Sequence, residues 1–206
     1  GLLDMGVSPA YLPGQENYTR TARKRYASQW GVKIPGKKGK NSLGILTGIE
    51  RGEIQGLLVC GREALGKIGN GIFGVPLFSV LIDTRAPEGR PYPQVVLPGA
   101  AFSESEGTYT NCERRIQPLH QAVKPPAGRQ NWEIITALSS AAGYSMKYIS
   151  IQDIQQELAD ALPFYRAVAD GKNSDLGESA MIGKQDHFKI PVLKVSDSHD
   201  IMRVLR

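Results

Sequence analysis

The chain has 206 residues, of which 41% are hydrophobic and 22% charged, with a formal net charge of +5. This length allows one domain with a full core, and no apolar run approaches the roughly 18 residues of a membrane span, which excludes one. Cys60 and Cys112 alone cannot build a four-ligand zinc site or an iron–sulfur cluster, and a reducing cytoplasm is the default expectation. The chain begins with Gly and no signal pattern follows, so we expect a fragment or a processed product.

The amino-terminal part is predicted to be irregular and then basic. Residues 1–15 are broken by Gly and Pro, and a short basic helix is expected from Tyr18 to Trp30. No acidic residue occurs between Glu16 and Glu50. Such a window can face phosphate, an acidic partner subunit or nucleic acid, or be a solvated connector. Nucleic acid is the weaker alternative, because few aromatic residues interleave the charges. The window contains Arg20, Arg23, Lys24, Arg25, Lys33, Lys37, Lys38 and Lys40.

The middle of the chain predicts a mainly parallel sheet. Asn41 or Ser42 can cap a short helix that ends at Ile49. The apolar runs "IQGLLVCG" and "PLFSVLID" lack clean alternation, which is typical of neighbouring parallel strands covered on both faces. Their connection is rich in glycine and is a poor helix former. The segment "TRAPEGRPYP" is expected to lack regular structure, and "QVVLP" then supplies a third buried strand.

Two helices are predicted after the strands. The first runs from Asn131 to Ala142 and ends at Gly143. The second is capped by Ser150 with Asp153 and ends at Pro163. The tail after Tyr165 is polar, with "KIPVLKV" as its strand-like piece. The expected apolar faces are Trp132, Ile135, Leu138 and Ala142 on the first helix, and Ile151, Ile154, Leu158 and Leu162 on the second.

Three stretches carry a resemblance to a known family. They are "DMGVSPAYLPG", "IERGEIQGLLVCG" and the long segment from "VVLPGAAFSESEGTYTNCERRIQP" to "NWEIITALSSAAG". In order and spacing they resemble the molybdopterin oxidoreductase family over residues 1–165. The nearest branch looks like the formate dehydrogenase alpha subunits and the large iron–sulfur subunit of respiratory complex I.

The resemblance implies an α/β fold, a Rossmann-like αβα domain over residues 42–165. An irregular basic segment precedes it at 1–41, and a polar tail follows at 166–206. Ligands of such sheets bind beyond the carboxyl ends of the strands. There an aspartate can accept a hydrogen bond from a sugar hydroxyl or a guanine edge, and arginines can bind phosphate. The implied site for a molybdopterin guanine dinucleotide, bound jointly with other domains, comprises Gly61, Arg62, Glu63, Asp83, Thr84 and Arg85.

Two departures from the family pattern lie at this implied site. Family members usually follow the first strand with Gly, an acidic or amide residue and Pro, whereas this chain has Gly61-Arg62-Glu63-Ala64. The segment "TRAPEGRPYP" replaces a Thr- and Ala-rich turn. The family's metal ligand and cluster cysteines belong to other parts of the polypeptide, so the isolated chain is not expected to be catalytic. Its implied partners are other domains or subunits of an oxidoreductase, and a cofactor-free structural module that kept the fold is the alternative.

The loop after the third strand is expected to be architectural, and other residues are not expected to form sites. Cys60 is predicted to be a core residue and Cys112 to be inert. The three histidines, His120, His187 and His199, are too scattered to predict a metal site, and "GKIGNGIFG" lacks the ending of a P-loop. The loop residues expected to form ion pairs, hydrogen bonds or a tight turn are Glu104, Gly107, Asn111, Glu113, Arg114 and Arg115.

Overall fold

The computed structural model describes residues 1–111, 115–166 and 174–175. Within them the fold is mixed α/β. The helices are α1 (Arg20–Trp30), α2 (Ser42–Glu50), α3 (Asn131–Ala141) and α4 (Ile151–Ala161). The strands are β1 (Tyr11–Leu12), β2 (Glu16–Asn17), β3 (Gly56–Cys60), β4 (Phe78–Asp83), β5 (Val95–Pro98), β6 (Gly107–Thr110), β7 (Arg115–Leu119) and β8 (Ser174–Asp175).

A three-stranded parallel sheet forms the centre of the α/β part. Its order is β3-β4-β5, with Leu58 opposite Val80 and Ile82 opposite Leu97, which confirms the predicted parallel neighbours. The glycine-rich connection from Arg62 to Gly74 forms 3-10 turns rather than an α-helix. One face of the sheet packs on α2 and on the end of this connection. The buried core between them comprises Leu46, Ile49, Val59, Ile72, Phe73, Leu77 and Leu81.

Within residues 1–111, 115–166 and 174–175, the opposite face of the sheet is open around β3, although Ile82 on that face is buried. The predicted cover on both faces is therefore only partly present among these residues. Leu58 and Phe78 lie on that face and are 52% and 57% exposed. The prediction of a fully buried third strand is wrong, because exposed and half-buried residues alternate along β5. Apolar side chains without alternation predict burial on both faces, but among the described residues α3 reaches only the β5 end of this face.

The helix α3 has the predicted length but not the predicted buried face. It ends before Gly143, whose positive φ of 85° stops the helix as expected. Ile134 is the buried residue, whereas Ile135, which was predicted to face the core, is 41% exposed. The side of α3 that faces β5 carries Ile134 and Leu138 rather than Ile135. A pocket of about 400 Å³ lies between α3 and β5, lined in part by Leu97 of β5 and Leu138 of α3.

A second core joins the amino-terminal segment to the end of the described chain. Ala161 of α4 contacts two buried clusters, one around Leu12, Ala22 and Tyr26 and the other around Ile116, Leu162 and Tyr165. The Tyr26 hydroxyl donates to the carbonyl of Pro13 at 2.8 Å, and the hydroxyls of Thr110 and Tyr165 are 2.6 Å apart. The segment before α1 is therefore packed, although its only regular elements are short.

The remaining predicted elements are confirmed where the structure describes them. Asn41 caps α2, with its Oδ1 accepting from the Gly44 N–H at 2.9 Å. Ser150 caps α4, and Asp153 Oδ2 accepts in return from the Ser150 N–H at 2.8 Å. The strand-like "KIPVLKV" lies outside the described residues. None of the described helices is long and apolar enough to cross a membrane.

Candidate functional site

The carboxyl ends of β3 and β4 bring the predicted site residues together at one edge of the sheet. Parallel pairing places Cys60 opposite Ile82, so the turn that starts at Gly61 lies beside the turn that starts at Asp83. The Gly61 N–H donates to the Ile82 carbonyl at 2.8 Å, which extends the ladder by one bond. Gly61 has a φ of 80°, a conformation that side-chain-bearing residues rarely adopt, and this lets β3 turn away sharply.

Asp83 joins the two turns directly. Its side chain is buried, and its Oδ2 accepts from the Arg62 N–H at 2.7 Å while its Oδ1 accepts from the Arg85 N–H at 3.0 Å. The Arg62 guanidinium also lies close, with Nε 3.4 Å from Oδ2. A single carboxylate therefore fixes the backbone after β3 and after β4, and it neutralises one of the nearby cations.

Asp83 is ionised at neutral pH despite its burial. Burial by itself raises the pKa of this carboxyl, but the two backbone hydrogen bonds and the Arg62 charge outweigh that effect, so the net pKa lies below its ordinary value. Hydrogen bonds from N–H groups to a carboxylate favour the charged form. The join between the turns is thus charge-assisted over the neutral pH range.

The end of the third strand is fixed by residues that the sequence did not single out. The Gly99 N–H donates to the Asp83 carbonyl at 2.8 Å. Asn131, the first residue of α3, makes two hydrogen bonds with the backbone of Ala100. Its Oδ1 accepts from the Ala100 N–H at 2.8 Å, and its Nδ2 donates to the Ala100 carbonyl at 2.9 Å. A side chain at Gly99 would lie 3.0 Å from the Asn131 Oδ1. A glycine directly after a Leu-Pro strand end is the signal that indicates this close approach.

The loop after β5 is held by hydrogen bonds within the chain. Glu104 Oε2 accepts from the Ala101 N–H at 2.9 Å, and its carbonyl accepts from the Gln130 side chain at 2.8 Å. Gly107 has a φ of 135°, again in the region that favours glycine. Asn111 Oδ1 accepts from the Arg115 N–H at 2.8 Å and closes the β6–β7 hairpin. Glu113 and Arg114, which were also predicted to act here, lie outside the described residues.

Cys60 differs from its predicted role. It was expected in the core but is exposed, because it lies on the open face of the sheet. Partial burial nevertheless raises the pKa of its thiol. Among the described residues no group of His, Cys, Asp or Glu side chains could hold a metal ion. Cys112, His187 and His199 lie outside them.

Comparison with known sequences assigns the chain to a family. The sequence model described as molybdopterin oxidoreductase matches residues 20–141, which is more than half of the chain. The chain belongs to the molybdopterin oxidoreductase family. The matched range contains the three parallel strands, both turns joined by Asp83 and the loop after β5.

Individual relatives agree with this assignment. A putative formate dehydrogenase of Bacillus subtilis is 32% identical over 208 residues, covering 93% of this chain and 21% of the relative. The NADPH-Fe(3+) oxidoreductase subunit alpha of Geobacter sulfurreducens is 32% identical, over 82% of this chain and 20% of the relative. A putative formate dehydrogenase of Staphylococcus aureus is 31% identical, over 82% of this chain and 18% of the relative. The chain spans about a fifth of the length of these relatives.

The side chains at the edge have the chemistry to bind anionic and hydroxyl-bearing groups. Glu63, Thr84 and Arg85 are exposed there, and Arg85 makes no ion pair within the described part of the chain. The Arg62 guanidinium retains 28% exposure beside Asp83. Several backbone donors of the edge, in contrast, are already used inside the chain. They are the N–H groups of Gly61, Arg62, Arg85, Gly99, Ala100 and Ala101.

Proposed function

We propose that this chain forms one wall of a binding site for a molybdopterin guanine dinucleotide, within an oxidoreductase related to formate dehydrogenases. The observation that carries the proposal is the Asp83 join, which holds the turns after β3 and β4 together at one edge. Ligands of open parallel sheets bind at this edge. When bound, the cofactor supplies the redox chemistry, and the metal and cluster ligands come from other parts of the enzyme.

The side chains at the edge have complementary roles in this proposal. The guanidinium groups of Arg62 and Arg85 hold phosphate oxygens, because a planar cation with several N–H donors suits an oxyanion. Thr84 and Glu63 accept from sugar hydroxyls or from the guanine edge. The bare backbone at Gly61 leaves room for a close approach of the ligand. Each of these contacts binds or orients the cofactor, and none transfers a proton or an electron.

Asp83 acts mainly through the turns in this proposal, although it was first predicted to contact the cofactor. Both of its oxygens already accept from backbone N–H groups, at 2.7 and 3.0 Å, and the residue is only 8% exposed. Its carboxylate keeps Arg62 and Arg85 at a fixed separation. It is therefore a positioning residue for the two cations.

A second function is favoured by a specific observation. The Asp83 carboxylate already pairs with the Arg62 guanidinium and accepts from the backbone N–H groups of Arg62 and Arg85. A structural module that kept the fold and lost the cofactor would show this arrangement, because its former binding groups must find partners within the chain. The departures at Arg62 and at "TRAPEGRPYP" fall in the same place.

Pterin analysis of the native enzyme separates the two functions. The polypeptide that carries this chain is purified with its natural partners, denatured, and oxidised so that released pterin becomes fluorescent. Guanine nucleotide released by acid is measured in the same sample. The cofactor-binding function predicts pterin and guanine nucleotide in equal, near-stoichiometric amounts. A complex that repeatedly contains neither would refute that function and support the structural module.

A further inference from the structure

A surface built from α1 and the loop after it carries positive charge that no acidic side chain among the described residues neutralises. Among the described residues, the acidic partners in this region are Glu16, which pairs with Arg25, and Glu53, which pairs with Lys40 at 3.2 Å. The exposed cations that form no ion pair in the described part of the chain are Arg20, Lys24, Lys33, Lys37 and Lys38, here called the basic surface.

The basic surface is held in place by contacts between α1 and the loop that follows it. The Pro35 carbonyl accepts from the Tyr18 hydroxyl at 2.9 Å and from Arg23 Nη1 at 3.3 Å. A side chain at Gly36 would lie 3.8 Å from the same Arg23 nitrogen, so the loop lies directly against the helix. Lys37 and Lys38 follow at once, and the Lys40–Glu53 ion pair fixes the end of the loop.

The basic surface shares no residue with the proposed cofactor edge. The helix α1 packs through Ala22 and Tyr26 into the second core, together with Ala161 of α4. The parallel strands pack in a different cluster with α2. The cofactor site therefore does not account for the basic surface, and the inference below does not depend on cofactor binding.

Like charges held close together repel one another, and a ligand of opposite charge relieves that repulsion. We propose that the basic surface is a docking site for a carboxylate-rich segment of a partner protein. Lysine ammonium groups on a fixed loop can each pair with a separate carboxylate, and such contacts accelerate encounter and set orientation. Val32, which is 45% exposed within the same loop, supplies an apolar contact of the kind found in protein interfaces.

The aromatic residues beside the charges argue against binding of single-stranded nucleic acid by base stacking. Tyr26 is fully buried, and Trp30 stacks on it with ring centroids 4.8 Å apart. Tyr18 is occupied by its hydrogen bond to Pro35 and by Arg23, which lies 5.5 Å above its ring. Single-stranded nucleic acid is normally bound by stacking its bases on available aromatic faces. These three rings are engaged within the chain.

Fluorescence anisotropy with defined anionic probes tests the proposal. The full chain is titrated into a labelled peptide of about ten glutamates, and separately into a single-stranded oligothymidylate of matched charge, from about 50 to about 300 mM salt. The first variant, Lys37→Glu with Lys38→Glu, reverses two charges of the basic surface. The matched control, Lys124→Glu with Lys147→Glu, makes the same change at exposed lysines elsewhere.

The proposal predicts salt-sensitive binding of the glutamate peptide that weakens about tenfold or more in the Lys37/Lys38 variant and stays within about twofold in the control. Circular dichroism of both variants is the control that checks whether they remain folded. Equal losses in the two variants would show attraction by net charge alone and would overturn a defined docking site. Tighter binding of the oligothymidylate, lost in the Lys37/Lys38 variant, would overturn it in favour of nucleic acid.

Discussion

Substitution of Asp83 by asparagine removes the charge that joins the two strand ends while preserving the size of the side chain. An amide has one acceptor oxygen, so its NH2 group must face either the Arg62 or the Arg85 N–H, which now donate at 2.7 and 3.0 Å. Leaving one of these part-buried donors without its acceptor costs about 1–3 kcal/mol, and the other hydrogen bond loses its charge assistance. Together these losses predict a decrease of about 2–4 kcal/mol in the free energy of unfolding.

Urea unfolding at pH 7, followed by far-ultraviolet circular dichroism, measures this decrease. Asp160→Asn is the matched control, because Asp160 is exposed and accepts from Gln156 on the same helix at 3.0 Å. The control should change the free energy of unfolding by about 0.5 kcal/mol or less. An Asp83→Asn variant as stable as this control would refute the role of Asp83 as the join between the turns.

The stability difference between the wild type and Asp83→Asn is predicted to depend on pH. Because the folded-state pKa of Asp83 is lowered, its stabilising contribution is complete above the ordinary aspartate pKa of about 3.9 and is lost as pH falls through that value toward the folded-state pKa. The stability difference between wild type and Asp83→Asn should therefore shrink on acidification. A difference that grows below about pH 4 would have the wrong sign.

Three further substitutions test the local contacts. Ser150→Ala removes the cap of α4 and should lower the free energy of unfolding by about 1 kcal/mol in the same urea assay, whereas no change would mean that the cap is not formed. Gly99→Ala places a Cβ 3.0 Å from Asn131 Oδ1 and 3.3 Å from the Ile82 side chain, and should cost about 1–3 kcal/mol. The Tyr148 hydroxyl is partly buried and donates to the Glu157 carboxylate, and both effects raise the pKa of Tyr148 to about 12. Glu157→Gln should therefore lower the pKa of Tyr148, as measured by ultraviolet titration.

Local sequence signals predicted the four helices and the three parallel strands, but not β1, β2, β6, β7 or β8. The strands β3, β4 and β5 are short apolar runs with Gly or Pro at their ends, and this short length with such flanking residues favours a strand over a helix. The helix α4 begins where Ser150 and Asp153 satisfy each other's backbone groups, which is a contact between near neighbours in sequence. The family resemblance rested on residues at fixed offsets and correctly indicated the fold.

What the sequence did not predict depends on contacts between distant parts of the chain. The open face of the sheet depends on where α3 packs. Ile134 and Ile135 are adjacent apolar residues, and helical periodicity does not decide which of them is buried. The packing of Tyr26 near Ala161 joins segments from opposite ends of the described chain. Asp83 was correctly placed at the strand end, but its partners are backbone N–H groups, which no residue identity reveals.

The most direct test of cofactor binding at this edge is the guanine nucleotide content of the purified enzyme after Arg62→Glu with Arg85→Glu. Arg51→Glu with Lys147→Glu is the control, because it makes the same charge change at exposed cations away from the edge. Arg85→Glu alone is also measured, since Arg62 supports Asp83 and its loss can disturb the turn. Cofactor binding at the edge predicts a loss of nucleotide of about tenfold or more in the double variant, a smaller loss in Arg85→Glu, and full retention in the control. Full nucleotide content in a folded double variant would contradict it, because two carboxylates would then face the pyrophosphate without effect.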